Sequence, residues 1–360
     1  MPASPFLNTQ AVETWDTWFR WRDRGHLRDL TIEYTWERVA AALAASRPDA
    51  ARPGYQRRLF DAFSAWQLLL DQRVLATAGT AAPQWDSADL TAALNIASFV
   101  RAPGLPHASI DHALLEEVAA LAVYALDDAA LLGSKSPLYP AGSLHIGVIG
   151  LGNALEFLGL AYDSAAACRE AERIAASLAS GCLAGSIALA RDHVSGQSVS
   201  SEWQRRANAR AHARELTAAV ERYGLRYANL TAISSQQRLA CFANGVADAM
   251  DPNLQRACVQ PACGPLDARR ATLDTDAVVD NAQTTTLQRP SVPAQLRLRA
   301  AVQPWIDAHI QYPLIASEYP SDEQLRAWNN LAADLDLSPV TWRSMTRDCR
   351  NVRSERCVAR

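Results

Sequence analysis

Three glycines at short spacing raise the first chemical question. In the stretch HIGVIGLGNALEFLGLAYDS, Gly147, Gly150 and Gly152 follow a strand-like run and precede a helical one. In that setting a glycine turn can cradle a dinucleotide pyrophosphate against a helix N-terminus. The cradle needs G-x-G-x-x-G, and Leu155 occupies the third place. It also needs an acid about twenty residues on, at the end of a second strand, to hold a ribose. Glu170 has that spacing but lies inside AAACREAERIAASLASGCLAGSIALARDH, whose alanine-rich composition predicts a long helix. The dinucleotide reading fails, and the glycines need another explanation. His112 and Glu116 stand four apart on one predicted helix. Two such side chains can share a metal, but no third ligand accompanies them, so a surface hydrogen bond is the better reading and no metal site is assigned.

The elements that would position these residues are mostly helical. Of the 360 residues 49% are apolar and 20% charged, the balance of a folded globular chain. A net charge of -3 gives no global attraction to nucleic acid or to an anionic membrane, and Lys135 is the single lysine. The chain lacks a basic, apolar leader and an unbroken apolar run near the length of a membrane span, so a cytoplasmic protein is expected. Seven cysteines with no C-x-x-C argue against a disulfide framework or a zinc knuckle; Cys168, Cys182 and Cys241, among apolar residues, read as core.

Periodicity places Trp15, Trp18 and Phe19 on one helical face and starts a second helix near Trp36, Val39 and Ala40. QRRLFDAFSAWQLLLDQRVL reads as one helix with Leu59, Phe63, Trp66 and Leu70 facing the same way. LNIASFV is strand-like, Ser109 is a plausible N-cap for the helix after it, and ANLTAI has the β-branched character of a buried strand. Residues 262–294 read as an extended connection. SDEQLRAWNNLAADLDL is the last clear helix, with Ser321 as its N-cap and Asp322 and Glu323 in its first turn.

Taken in order, these segments resemble the large (alpha) subunit of ribonucleotide reductases. ALNIASFVR, a helix ending ALDDA, HIGVIGLGNALEFLGLAYDS and a helix ending SIALARDH follow one another as they do in that family's barrel. RYANLTAISSQQRLACFANGVADAMDP is similar to the family's R-N-A-x-L-T-A-I-A-P-T-G-T-I-S segment, with Asp251 and Pro252 matching its acid-proline ending. WIDAHIQYPLIASEYPSDEQLRAWNNLAADLDLSPVTWR looks like the family's substrate-side helix and closing motif, and TWERVAAALA with RVLATAGT is similar to the adenosylcobalamin-dependent branch. The resemblance makes Gly147, Gly150 and Gly152 a structural turn between a barrel strand and its helix, where close packing explains them. It implies a fold that is mainly α with a few short β-strands, the truncated remnant of an α/β barrel. The expected divisions are a helical region over 1–80, the barrel remnant over 81–265, a linker over 266–294, a helical part over 295–345 and a basic tail over 346–360.

The resemblance also shows what is missing. The family's chemistry uses a radical cysteine and a glutamate in an N-x-C-x-E loop, and a redox cysteine on an early barrel strand. All of these fall between the segments matched by RVLATAGT and LNIASFV. Here thirteen residues, Ala81 to Ala93, separate those segments, and N-x-C-x-E occurs nowhere in the chain. One strand-helix-strand unit alone takes roughly thirty residues. No catalytic residue is therefore assigned, and adenosylcobalamin is implied by resemblance only. Ser234, Ser235, Gln236 and Gln237 replace the family's phosphate-binding P-T-G-T, as a vestigial loop that has lost its glycine. Nucleotide binding is accordingly not expected. Cys349 and Cys357 sit where the family keeps a redox tail, among Arg343, Arg347, Arg350, Arg353, Arg356 and Arg360, and positive neighbours lower a thiol's pKa. The functional expectation is a non-catalytic scaffold or regulatory partner that docks on a full-length reductase or on a second copy. The alternative is a working reductase component completed by another chain. Nucleic-acid contact through the arginine-rich end is a third and weaker reading, since such runs are mostly solvated surface.

Overall fold

The structure, a computed structural model, describes residues 5–81, 85, 89–133, 143–193, 203, 210, 214–253 and 291–344. Its first third is helical: α1 (Thr9–Trp18), a hairpin of β1 (Arg22–Asp23) and β2 (His26–Leu27), α2 (Ile32–Ala44) and α3 (Arg52–Ser64). Asn8 caps α1 by accepting the Ala11 N–H at 2.7 Å. Trp15 and Phe19 are buried as expected, but Trp18 is 50% exposed, because a tryptophan three residues from Trp15 has rotated off the buried stripe. It lies beneath the Arg238 guanidinium, 3.8 Å from the ring centre.

The predicted single helix over Gln56–Leu75 is instead a helix, a strand and a helix. Trp66 takes a left-handed backbone (φ 58°), β3 (Leu68–Leu70) follows, and α4 (Gln72–Thr77) starts at an Asp71 cap. Leucine favours helix on its own. Here three consecutive leucines are fully buried, and a strand that covers both faces lets all three be buried at once.

The strand layer is short. β4 (Thr91–Asn95) runs parallel to β7 (His145–Ile149) in the register Thr91↔His145 to Asn95↔Ile149, and β3 pairs antiparallel on the far side of β4. Between β4 and β7 lie a 3-10 turn over Ile96–Phe99, the two-residue strands β5 (Val100–Arg101) and β6 (Ser109–Ile110), and α5 (His112–Gly133). LNIASFV is thus strand only through Asn95. Ser109 is in β6 and does not cap α5; Asp111 does so by accepting the Leu114 N–H at 3.2 Å. ANLTAI contributes an isolated parallel bridge, Ile146↔Thr231, and no longer strand, because its next backbone groups bond to residue 307 and beyond.

After β7 come α6 (Leu151–Phe157) and α7 (Ala165–His193), then α8 (Arg214–Tyr223), α9 (Gln237–Phe242), α10 (Val292–Val302), β8 (Leu314–Ala316), α11 (Asp322–Asp334) and β9 (Trp342–Ser344). Ser291 caps α10, so helix begins inside the stretch read from sequence as linker. Ser321 and Gln324 form a full capping box on α11. α7 is long and apolar enough to span a membrane, but 72% of its most apolar window is buried inside the protein. It packs along α5, where Gly181 and Gly185 let the two backbones close up: a Cβ on Gly181 would stand 2.3 Å from the Glu116 carbonyl oxygen.

One hydrophobic core runs from Trp15 to Tyr312, so the N-terminal helices and the strand layer share it. Two buried acids of α5 pin the layers together. Asp128 takes the Tyr55 hydroxyl at 2.6 Å and the Arg47 guanidinium at 2.8 Å, while Asp127 takes the Tyr227 hydroxyl at 2.8 Å and Arg226 at 3.1 Å. A separate cluster of α10, β8, α11 and β9 packs around Val292, Leu296, Leu314, Ala316 and Ala332.

Candidate functional site

The parallel register brings the ends of β4 and β7 together, and everything chemically notable outside the helices gathers there. Gly150 sits at the turn with φ +70°, and a Cβ on it would lie 2.5 Å from Asn95 Oδ1. Asn95 is 4% exposed, and its Oδ1 has no hydrogen-bond partner. Gly147 faces the Ala232 carbonyl oxygen, 2.4 Å from where a Cβ would be, and Gly152 faces the Asp251 carbonyl oxygen at 2.3 Å. The Gly150 N–H donates to the Ala247 carbonyl at 2.8 Å, and the Ala247 N–H donates to Asn153 Oδ1 at 2.7 Å. The space a pyrophosphate would need beside this turn is therefore filled by the chain's own backbone over 247–253. Glu170, the acid at ribose spacing, is inside α7 and is paired with Arg173 at 2.9 Å.

The loop Ser234–Gln236 and the first residue of α9, Gln237, lie at the same end. Ser235 Oγ donates to Asp248 Oδ2 at 2.5 Å, the Gln236 N–H donates to Asp248 Oδ1 at 2.6 Å, and Gln236 Nε2 donates to Ser234 Oγ at 3.3 Å. Asp248 and Asp251 are 8% and 3% exposed. From β9, Arg343 reaches Asp251 Oδ2 at 2.6 Å and Asp248 Oδ2 at 3.9 Å, while Asp251 Oδ1 is buried without a hydrogen-bond partner. Burial, reinforced by Asp248, pushes the Asp251 carboxyl up to about 7 despite Arg343 and Arg299. The segment between the two acids is fixed as well. The Met250 N–H donates to the Tyr312 hydroxyl at 3.1 Å, and the Met250 carbonyl accepts from the Tyr162 hydroxyl at 2.6 Å. Arg299 stacks on the Tyr312 ring at 3.9 Å.

Sequence reasoning singled out Asp251 and the serine-glutamine loop but missed Asp248 and gave Arg343 no role beyond tail charge. The signal was slight: two acids three apart in ADAMDP, with an arginine more than ninety residues on. His112 also differs from its expected role. It does not pair with Glu116, which is exposed; its Nδ1 meets Ser177 Oγ at 3.0 Å and its Nε2 meets Glu170 Oε1 at 3.3 Å, both on α7. The partner is another helix because α5 packs along α7. Among the described residues no group of three or more His, Cys, Asp or Glu is arranged to hold a metal.

Radical chemistry with adenosylcobalamin requires a thiol at the strand ends. Among the described residues placed there, Asn95, Gly150, Asn153 and the Ser234–Gln237 segment, none is a thiol. Burial raises the thiols of Cys168, Cys182 and Cys241, which favours their protonated form. These residues do not fit the cofactor. Cys349 and Cys357 lie outside the described residues.

No curated protein matches the chain. Residues 86–261, which contain β4, α5, β7, the glycine turn, α7 and the serine-glutamine loop, match the family model of the ribonucleotide reductase barrel domain. Over this span, just under half of the chain, the protein is similar to the ribonucleotide reductase large subunit.

Proposed function

We propose that this chain is a non-catalytic relative of the ribonucleotide reductase large subunit that works by binding, as a scaffold or regulatory partner of a full-length reductase. The observation that carries this reading is the state of the strand edges. A barrel remnant waiting for another chain to supply its missing strands would hold an unpaired edge ready for them. Here β3 lies along the outer edge of β4, with Leu68↔Leu94 to Leu70↔Ala92 in register and the Asn95 N–H bonded to the Gln67 carbonyl at 3.1 Å. At the opposite side, Thr231 bridges Ile146, and Asp307 and Ala308 take the next backbone groups. This favours a self-contained unit over a component completed by a second chain. The absence of N-x-C-x-E from the sequence points the same way, since the family's radical step begins at that cysteine.

The test is affinity capture of the full chain from extracts that contain a reductase, at low and at moderate salt, with titration of the pure protein with nucleoside di- and triphosphates and adenosylcobalamin alongside. Recovery of a reductase with silent titrations is the expected result. Failure to recover a reductase at any salt removes the partner, and ribonucleotide turnover by the pure protein removes the non-catalytic reading.

A further inference from the structure

The loop after β8 and the first turns of α10 and α11 enclose a groove of about 320 Å³, built from residues outside the matched span 86–261. Tyr319 and Trp328 give it aromatic walls, Pro293 and Pro320 give it ring carbons in place of backbone donors, and Ser317 and Glu318 give it polar groups. The aromatic side is preformed. Tyr319 meets the Trp342 ring edge-on, with centroids 5.3 Å apart at 86°. Trp342 is held in β9 by its pairing with Leu314, and Trp328 packs in the cluster of α10, β8, α11 and β9. Tyr319 is nevertheless 66% exposed, so a docking segment can bury ring area on a residue that is already fixed in place. We propose that this groove docks an extended, proline-rich segment of a partner protein that carries an arginine, the prolines packing on Tyr319 and Trp328 and the guanidinium pairing with Glu318.

Two properties of the groove select this ligand. The first is its shape and lining. Aromatic and proline rings suit a segment in the polyproline II conformation, whose prolines offer ring carbons to aromatic faces, have no N–H to desolvate and enter already ordered. The second is charge. Glu318 is exposed and has no ion-pair partner among the described residues. Asp322 and Glu323 follow it in the first turn of α11, and Arg326, a turn further on, is the one basic residue of that helix. The N-termini of α10 and α11 each add about half a positive charge. Three full carboxylate charges outweigh those two partial ones, so the groove end of α11 attracts a cation. Arginine fits better than lysine, because a guanidinium can pair with Glu318 and also stack on the Tyr319 ring. The inference rests on the reading that the chain works by binding, and it deepens that reading by naming a surface.

The probe is a short fluorescent proline-rich peptide with one arginine, titrated with the full chain and followed by anisotropy. Two control peptides carry glycine for every proline, or glutamate for the arginine. Saturable binding of the first peptide is expected, with each control weaker by about tenfold or more. Tyr319→Ala should weaken the first peptide by a similar factor. Glu318→Gln should erase the preference for arginine over glutamate and keep that for proline over glycine. Both side chains are exposed, and circular dichroism checks that the variants fold; should Tyr319→Ala not fold, Glu318→Gln decides. No saturable binding by the wild type, equal binding of all three peptides, or either folded variant behaving as wild type overturns the proposal. Self-assembly on size exclusion that the peptide dissolves would put a second copy in the groove, and it overturns the assignment to a partner. Peptide affinity is read on the pure chain and reductase capture on extracts, so either idea can fail without the other.

Discussion

Asp251 carries a pH consequence at the strand ends. Burial is the main cause of its rise to about 7 from an ordinary 3.8, with Asp248 adding to it and Arg343 and Arg299 opposing it. Because the folded protein holds this proton more tightly than the unfolded chain, the contribution to stability is fully present below about pH 4 and is lost as pH rises through 7. Asp16, Asp71, Asp111 and Glu170 act in the opposite sense, their pKa values lowered by arginine or histidine partners, so the net profile alone does not isolate Asp251. The difference between wild type and Asp251→Asn does. The variant should gain on the wild type as pH rises from about 5 to about 8, read as the shift in urea midpoint at each pH. Parallel profiles would show that Asp251 titrates normally. Little of this was legible in the sequence. An acid before a proline reads as a loop ending, and its burial follows from Tyr162, Tyr312 and Arg343, which arrive from distant parts of the chain.

At the scale of elements, legibility followed length and period. The long helices α5 and α7 and the capped helix α11 were readable because many turns, or a capping box, state the same preference locally. The β3 region was not, because Leu68–Leu70 prefer helix alone and become strand only through pairing with β4, more than twenty residues on. The bridge at Thr231 was overread for the same reason, since its β-branched neighbours suit a strand but its outer partners are Asp307 and Ala308. The α5 and α7 contact can be tested through its glycines. A Cβ at Gly181 would meet the Glu116 carbonyl oxygen at 2.3 Å and the Ala119 Cβ at 2.8 Å, atoms fixed in a helix backbone or directly on it. Gly181→Ala should therefore cost about 1–3 kcal/mol through overpacking. Gly54, in the first turn of α3, has nothing within 4 Å of a built Cβ. Gly54→Ala should stabilise by up to about 1 kcal/mol through helix propensity. Thermal melts followed by circular dichroism should move in opposite directions, and a shared direction would contradict the close helix contact.

For the whole molecule, the two edges of the strand layer decide whether the chain can stand alone. One is β3 itself, whose three leucines are fully buried, each worth about 1.5–3 kcal/mol. The other, along β7, is bonded through its backbone to residues 229–232, and that segment is held in turn by Asp307. Asp307 Oδ2 accepts the backbone N–H groups of Leu230 and Thr231 at 2.8 and 3.1 Å, its Oδ1 pairs with Arg210 at 2.8 Å, and its own N–H donates to Thr231 Oγ1 at 2.9 Å. Asp307→Ala would strand two backbone donors and a largely buried guanidinium, a loss of about 3–5 kcal/mol by analogy with broken buried pairs. It would also reopen a short edge next to β7, where another strand can add. Urea denaturation should show the loss, and light scattering after size exclusion should show association beyond the wild type's own state, rising with concentration. Asp307→Asn keeps one acceptor oxygen for the two N–H groups and removes only the charge, so it should lose part of the stability and keep the wild-type assembly. If both variants behave as wild type, the edge is held by backbone bonds, among them Ala308 to Thr231 and Ile146 to Leu230, and the Asp307 side chain is not what closes it.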